Sequence, residues 1–405
     1  MSRKCLYFDN NATTFMNKTV RSTYDKWSSS FNPATSSKEG SLAMKAITAS
    51  KKYFCRLLFG NSGNNHKIVF TSGASESNCT IMRSATRSFK KITGYKPHLI
   101  VSAIEHKSVL QCAQSLVDHD EADITIVPAT IDGYVDIKNI DKAIKKNTCL
   151  AVIMHGNNET GAVNDIKTIS KILHKRNIPL HVDMVQTFGK TTLNLMDIGA
   201  DSAAISFHKI QGPKSAGLLA IRNSFYKGYQ LSGIISGTQQ DGFRGGTENV
   251  ALVAASTVAT KIAKKARVTK NKRLLRLITM FIDGVNKIFK KTNDFELTLI
   301  GPSLKDNRLP HVVLVAVTYK KPGRKKLFCN VKFKHLLEKN GIIVGIGSAC
   351  NTSSGSASHV LYAMGYGNNK LIKKGVIRIS LCDDTTIKDV NKLIKTFTST
   401  SYLVI

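Results

Sequence analysis

Between residues 67 and 221 the chain alternates short apolar runs with helical periodicity. No other feature narrows the fold as much. The runs are Lys67–Phe70, His98–Ser102, Ile124–Val127, Cys149–Met154, Leu180–Val182, Ala203–Ser206 and Leu218–Ile221. Strands that are apolar throughout must be covered on both faces, and intervening helices such as Ile166–Arg176 supply the cover. The expectation is an α/β fold built on a mostly parallel seven-stranded sheet. Ligands of such sheets sit beyond the carboxyl ends of the strands. The polar residues at those ends are therefore the informative ones.

Four successive strands deliver them. Glu105-His106 follow Ser102, and His155-Gly156-Asn157-Asn158-Glu159 follow Met154. Asp183 and Gln186 follow Val182, and His208-Lys209 follow Ser206. Any one of these has a bland explanation: a lone histidine is more often structural, and an aspartate often caps a helix. Four at one edge are hard to explain as caps. Thr71-Ser72-Gly73-Ala74-Ser75, between a strand and a helix, offers free backbone N–H groups at a helix N-terminus. That is a phosphate cradle in physical terms, although ordinary capping also produces it. Lys209 follows the apolar run Ala203-Ala204-Ile205 and precedes Gly212-Pro213. An ammonium there is costly to desolvate. It is useful if the amine is needed neutral or as a Schiff base, and in a lysine-rich chain it also reads as a surface residue.

Beyond residue 265 the pattern changes to a smaller α+β unit. It contains strands at Pro310–Val317, Ile342–Val344 and Val376–Ser380 and helices near Phe333–Lys339 and Ile387–Phe397. Between them lies a loop of small residues, Gly345–Ser356, that includes Cys350. The eight cysteines form no Cys-x-x-Cys pair, so a zinc knuckle is not indicated and no metal is expected. No apolar run approaches a membrane span, and the N-terminus lacks a secretory core, so an intracellular, cytoplasmic protein is expected. The 59 Lys and Arg against 27 Asp and Glu give a formal charge of +32. Such a charge attracts polyanions. The densest cluster, Lys261–Arg276, reads as the solvated face of a helix whose apolar stripe is Leu274, Leu277, Ile278, Phe281 and Val285.

Taken together, the chain resembles the cysteine desulfurases typified by bacterial NifS and IscS proteins, within the fold-type I (class V aminotransferase) pyridoxal-phosphate enzymes. The resemblance runs nearly end to end. It is carried by Asp9–Thr14, Thr71–Asn78, Glu105-His106-Lys107, Asn157-Asn158-Glu159, His181-Val182-Asp183 with Gln186, Ser206–Lys214, Arg244–Asn249, Gly347–Cys350 and Ile377-Arg378. It implies a large cofactor domain over 15–265 and a small domain formed by 1–14 with 266–405. It implies pyridoxal 5′-phosphate as cofactor and Lys209 as Schiff-base residue and proton shuttle. Asp183 would pair with the pyridine nitrogen and Gln186 with the ring's phenolic oxygen. His106 would stack on the ring and move a proton. Ala74, Ser75, Ser206 and His208 would hold the phosphate, with Thr247 reaching over from a second subunit of a homodimer. Asn158, beside the cofactor, and Arg378 would bind the substrate carboxylate. Cys350 would take the sulfur of L-cysteine as a persulfide, release L-alanine, and pass the sulfur to an acceptor protein for iron–sulfur clusters or thiolated tRNA.

Departures from the family pattern carry their own expectations. Phe207 stands where glycine is usual, which would place a bulky ring beside the cofactor. Ser215 also replaces a glycine, and Gln240 replaces a glutamate. Two other readings stay open: a selenocysteine lyase-like enzyme, and a non-catalytic relative that binds nucleic acid or another polyanion through its basic surface. Retention of Lys209, Asp183, Gln186, His106, Arg378 and Cys350 together argues against the last.

Overall fold

A computed structural model of the chain describes residues 5–60, 65–191, 194–265, 267–320, 327–347 and 358–404. Twelve strands occur among them: β1 (Leu6–Phe8), β2 (Lys67–Thr71), β3 (His98–Ser102), β4 (Asp123–Val127), β5 (Thr148–Met154), β6 (Leu180–Asp183), β7 (Ser202–Ser206), β8 (Gly217–Ile221), β9 (Phe295–Ile300), β10 (Val312–Tyr319), β11 (Ile342–Val344) and β12 (Val376–Ser380). Strands β2 to β8 form one seven-stranded sheet in the order β2-β8-β7-β6-β5-β3-β4. Its β3–β4, β3–β5, β5–β6 and β6–β7 pairs are parallel, and β8 runs antiparallel to both β2 and β7. Strands β2 to β7 therefore end at one edge, and β8 starts there.

The apolar runs are explained by two covered faces. Side chains alternate across a strand. Ile100, Ala151, Ile153, Leu218 and Ala220 point into one buried cluster, while Leu99, Val101, Leu150, Val152, Leu219 and Ile221 point into another. Each fully buried Leu, Ile or Val contributes about 1.5–3 kcal/mol relative to exposure. The helices Lys38–Phe59, Ala74–Thr93 and Lys107–Asp118 bury their own apolar sides in these clusters. At the β2 edge, Gln240 Oε1 accepts from the Phe70 N–H at 2.7 Å and its Nε2 donates to the Phe70 carbonyl at 2.8 Å. An ionised glutamate accepts but cannot donate, so glutamine completes this edge in a way its usual counterpart does not.

The second half adds an antiparallel sheet, β12-β10-β9, and a parallel pair of β1 with β11. Phe8 of β1 is buried among residues from 274 to 404, so the N-terminus packs with the C-terminal part. Strand β9 escapes the sequence reading because it lies at a sheet edge with only part of its length buried. The basic cluster also differs from expectation. It straddles two helices, Val250–Lys265 and Arg267–Thr292. Lys261, Lys264, Lys265, Lys272 and Arg276 are exposed. Three cations of the same run are instead fixed to the fold. Arg267 donates to the Thr191 carbonyl at 2.5 Å, Lys270 pairs with Asp383 at 2.5 Å, and Arg273 donates to the Asp383 and Thr385 carbonyls.

Candidate active site

The strand ends enclose a cavity of about 550 Å³. It collects Ala74, Ser75, His106, Asn158, Asp183, Gln186, Ser206, His208, Lys209 and Arg378, all singled out in the sequence. Thr247 is not among its lining. It borders a neighbouring hollow that shares Ser72 and Ser215 with the cavity. Cys350 lies outside the described residues.

Lys209 owes its position to a short turn. After β7 ends at Ser206, a single 3-10 turn, Phe207–Lys209, reverses the chain. The Phe207 ring is fully buried, with ring centroids 5.4 Å from Phe54 and 6.1 Å from Phe188. The expectation of a ring beside the cofactor is thus corrected. Alternation along β7 turns the aromatic group into the core, where it anchors the turn. The Phe207 carbonyl also explains Gly212, whose added Cβ would meet that oxygen at 2.7 Å. Ser215, by contrast, sits in the left-handed region at φ 56°, where glycine is favoured. Lys209 Nζ donates to the carbonyls of Asn11 at 2.5 Å and Ala12 at 2.7 Å.

Asn11 is a junction that the sequence reading placed in a motif without a role. Its carbonyl also accepts from Gln186 Nε2 at 3.3 Å, and its N–H donates to Ser380 Oγ at 2.9 Å. Its side chain accepts from His311 Nε2 at 2.9 Å and donates to the Asn158 carbonyl at 2.9 Å. Every polar group of Asn11 is therefore engaged, which fixes the carbonyl that receives the lysine amine.

Asp183 ends β6 and is almost fully buried. Its Oδ2 accepts from Asn78 Nδ2 at 2.9 Å and its Oδ1 from the Val185 N–H at 2.9 Å. Asn78 is itself oriented by the buried His181, whose Nε2 lies 2.9 Å from Asn78 Oδ1. Burial pushes the His181 pKa down to about 3, so the ring is neutral. Beside Asp183, Glu105 is buried; its Oε1 accepts from Ser102 Oγ and from the Met154 N–H at 2.6 Å. Burial pushes the Glu105 carboxyl up to about 8, the Ser102 bond opposes, and the Asp183 charge adds to the rise. Glu105 is consequently a neutral acid at pH 7. His106 caps the helix Lys107–Asp118 from the cavity's open side.

The opposite end suits an anion. The helix Ala74–Thr93 begins at Gly73 without a side-chain cap, so its first N–H groups face the cavity. Ser75, Ser206 and His208 surround them. Burial, then the Lys209, Lys214 and Lys190 charges, lower the His208 pKa to about 3. The Glu76 carboxylate is neutralised by Arg244 at 3.0 Å. On the far wall Arg378 is 1% exposed; its Nη2 contacts Asp9 Oδ1 at 2.6 Å and its Nη1 donates to the Asn158 carbonyl at 3.3 Å.

These residues fit a phosphorylated pyridine aldehyde. The buried Gln186 Oε1 has no hydrogen-bond partner among the described residues, an anion cradle stands at one end, and a carboxylate and an amine face the same space. A cradle, a buried acid and a lysine gathered at the carboxyl edge of this sheet define a pyridoxal-phosphate enzyme of fold type I. Comparison with known proteins specifies the branch. Residues 6–393 match the class-V aminotransferase family. The chain is 33% identical to the cysteine desulfurase IscS of Dictyoglomus turgidum, over 95% of this chain and 92% of that one. It superposes on a solved NifS-like protein with a TM-score of 0.83 at 29% identity, covering 98% and 100% of the two chains. The solved structure of SspA in complex with cysteine gives a TM-score of 0.73 at 29% identity, covering 93% and 98%. The chain belongs to the class-V aminotransferases and, within them, to the cysteine desulfurases; its cofactor is pyridoxal phosphate. Among the described residues no helix is long and apolar enough to cross a membrane.

The sequence reading placed Asn78 in a motif without a role, and it missed the Asn11 and Ala12 carbonyls and His359. His359 lines the cavity and places its Nε2 2.8 Å from the Glu105 carbonyl. Asn78 carries a readable signal, a polar residue buried inside an amphipathic helix. Backbone carbonyls carry none.

Proposed function

We propose that the chain removes the sulfur from L-cysteine, releases L-alanine and leaves a persulfide on Cys350. Cysteine and the Cys350 thiol then give alanine and Cys350–S–SH, with atoms and electrons balanced. The observation that carries this reading is the convergence of the Lys209 amine, the Asp183 carboxylate and the buried Arg378 guanidinium on one cavity.

Lys209, Asp183, Gln186, His106, Asn158, Ala74, Ser75, Ser206 and His208 would hold the cofactor, which when bound acts as an electron sink for charge developed at the substrate's α-carbon. Asp183 would face the pyridine nitrogen, its carboxylate oriented by the Asn78 side chain and the Val185 N–H. Lys209 takes and returns the α-proton at Nζ. Arg378 binds the substrate carboxylate with N–H groups left over from Asp9, and Asn158 supports it. His106 holds a proton near the reacting atoms. Cys350 attacks the substrate sulfur.

The acceptor is a protein that takes the persulfide sulfur towards iron–sulfur clusters or thiolated tRNA. The working unit is a homodimer in which Thr247 completes the neighbouring phosphate site. Residues 15–265 form the cofactor domain, and 1–14 with 266–405 form the smaller one. The protein acts in the cytoplasm.

The test is direct. Purified enzyme given L-cysteine produces alanine and a persulfide mapped to Cys350; Cys350→Ala keeps the cofactor spectrum and loses both products. Full-rate alanine release by Cys350→Ala would overturn the persulfide step. Faster turnover of selenocysteine with no cysteine activity would favour a lyase. The exposed cations of the two long helices favour a polyanion as second partner, and that binding should weaken steeply with salt.

A further inference from the structure

We propose that Cys79 and Cys112 form a redox-active pair which a hydroperoxide closes into a disulfide between the helices Ala74–Thr93 and Lys107–Asp118. The two side chains sit next to each other across the contact of these helices, close enough for each to perturb the other. Both helices follow parallel strands, β2 and β3, and run back over the same face of the sheet. Cys79 and Cys112 pack in the same apolar cluster. A second bond sets the register: Arg83 Nη2 donates to Ser115 Oγ at 2.9 Å. Arg83 lies one turn beyond Cys79, and Ser115 lies one turn beyond Cys112. Two parallel helices tied at 83 and 115 therefore bring 79 and 112 face to face.

The two sulfurs are unequal. Cys112 is 4% exposed and Cys79 is half-buried. The adjoining Cys112 side chain lowers the Cys79 pKa, burial opposes, and the Arg83 charge adds to the lowering. Cys79 is the reachable thiolate and Cys112 the buried resolving thiol, the arrangement expected of a sensor pair. In the first step Cys79 S⁻ attacks the peroxide O–O bond, giving Cys79–SOH and, after protonation, water or an alcohol. In the second, the Cys112 sulfur attacks the Cys79 sulfur, forming S–S; the hydroxide that leaves takes the Cys112 thiol proton and departs as water. Two thiols lose two electrons in all, and the hydroperoxide accepts them.

The position gives the bond a reach into the active site. Asn78, next to Cys79, holds Asp183, and the helix carrying Cys112 is capped by His106. Neither cysteine belongs to the sulfur-transfer chemistry, so the inference stands apart from the proposed function.

Holoenzyme is treated with a few equivalents of hydrogen peroxide, blocked with iodoacetamide and digested without reductant. The expected result is a linked peptide pair joining Cys79 to Cys112, two hydrogens lighter than its parts, together with a loss of two titratable thiols that dithiothreitol restores. In Cys112→Ser, dimedone should trap a sulfenic acid on Cys79 that the parent resolves. In Cys79→Ser, Cys112 should stay reduced. Peptides in which Cys79 and Cys112 are both recovered alkylated and unlinked, while other cysteines oxidise, would overturn the proposal. So would oxidation of Cys112 at the parent rate in Cys79→Ser.

Discussion

Arg378 and Asp9, 369 residues apart in the chain, meet at 2.6 Å on the wall of the active-site cavity. The contact joins β12 to the residue after β1, and Asp9 also bridges to Ser380. It aims a buried guanidinium that has no other charge partner among the described residues. Removing one member of a buried pair leaves the other uncompensated.

Asp9→Asn should therefore leave Arg378 in place but less well aimed. The KM for cysteine should rise about 10-fold, with a smaller change in kcat, on the scale of one charge-assisted hydrogen bond. Arg378→Lys should raise KM further, since a point charge cannot reproduce the fork. Steady-state kinetics on both variants checks the order.

Lys209→Ala should keep the phosphate cradle and so retain pyridoxal phosphate. Its absorption should revert to that of the free aldehyde, and alanine formation should fall by at least about 10²–10⁴-fold, the range for a lost proton-transfer group. Absorbance and an alanine assay on one preparation decide it.

Phe207→Ala should behave as a core deletion. A buried phenylalanine replaced by alanine costs about 3–5 kcal/mol. Denaturant unfolding should show that loss, while the cofactor spectrum of the folded variant stays unchanged. A spectral shift without loss of stability would return the ring to the cofactor's side.

Glu105 makes a pH prediction. Its folded pKa, about 8, lies above the ordinary value of 4.5, so between those limits the native state holds the extra proton. Stability from this group is complete below pH 4.5 and declines as pH rises towards 8, by at most about 1.4 kcal/mol per pH unit. Glu105→Gln keeps an oxygen to accept the Ser102 and Met154 bonds and should lack that slope. Unfolding midpoints of both proteins from pH 5 to 8 provide the comparison.

The sequence by itself determined the sheet and the place of the site. Apolar strands fix a doubly covered sheet because each side chain must go to one face or the other. Residues such as Asp183 and Lys209 are legible because their strands end beside them. Tertiary structure decided what backbone direction and long-range packing control. Phe207 and Lys209 are two residues apart, yet a single turn sends one into the core and the other into the cavity. The carbonyls of Asn11 and Ala12 reach Lys209 across nearly 200 residues, and a carbonyl has the same identity in every residue type. The Cys79–Cys112 contact is likewise set by the register of two helices on a shared face, which no local spacing encodes.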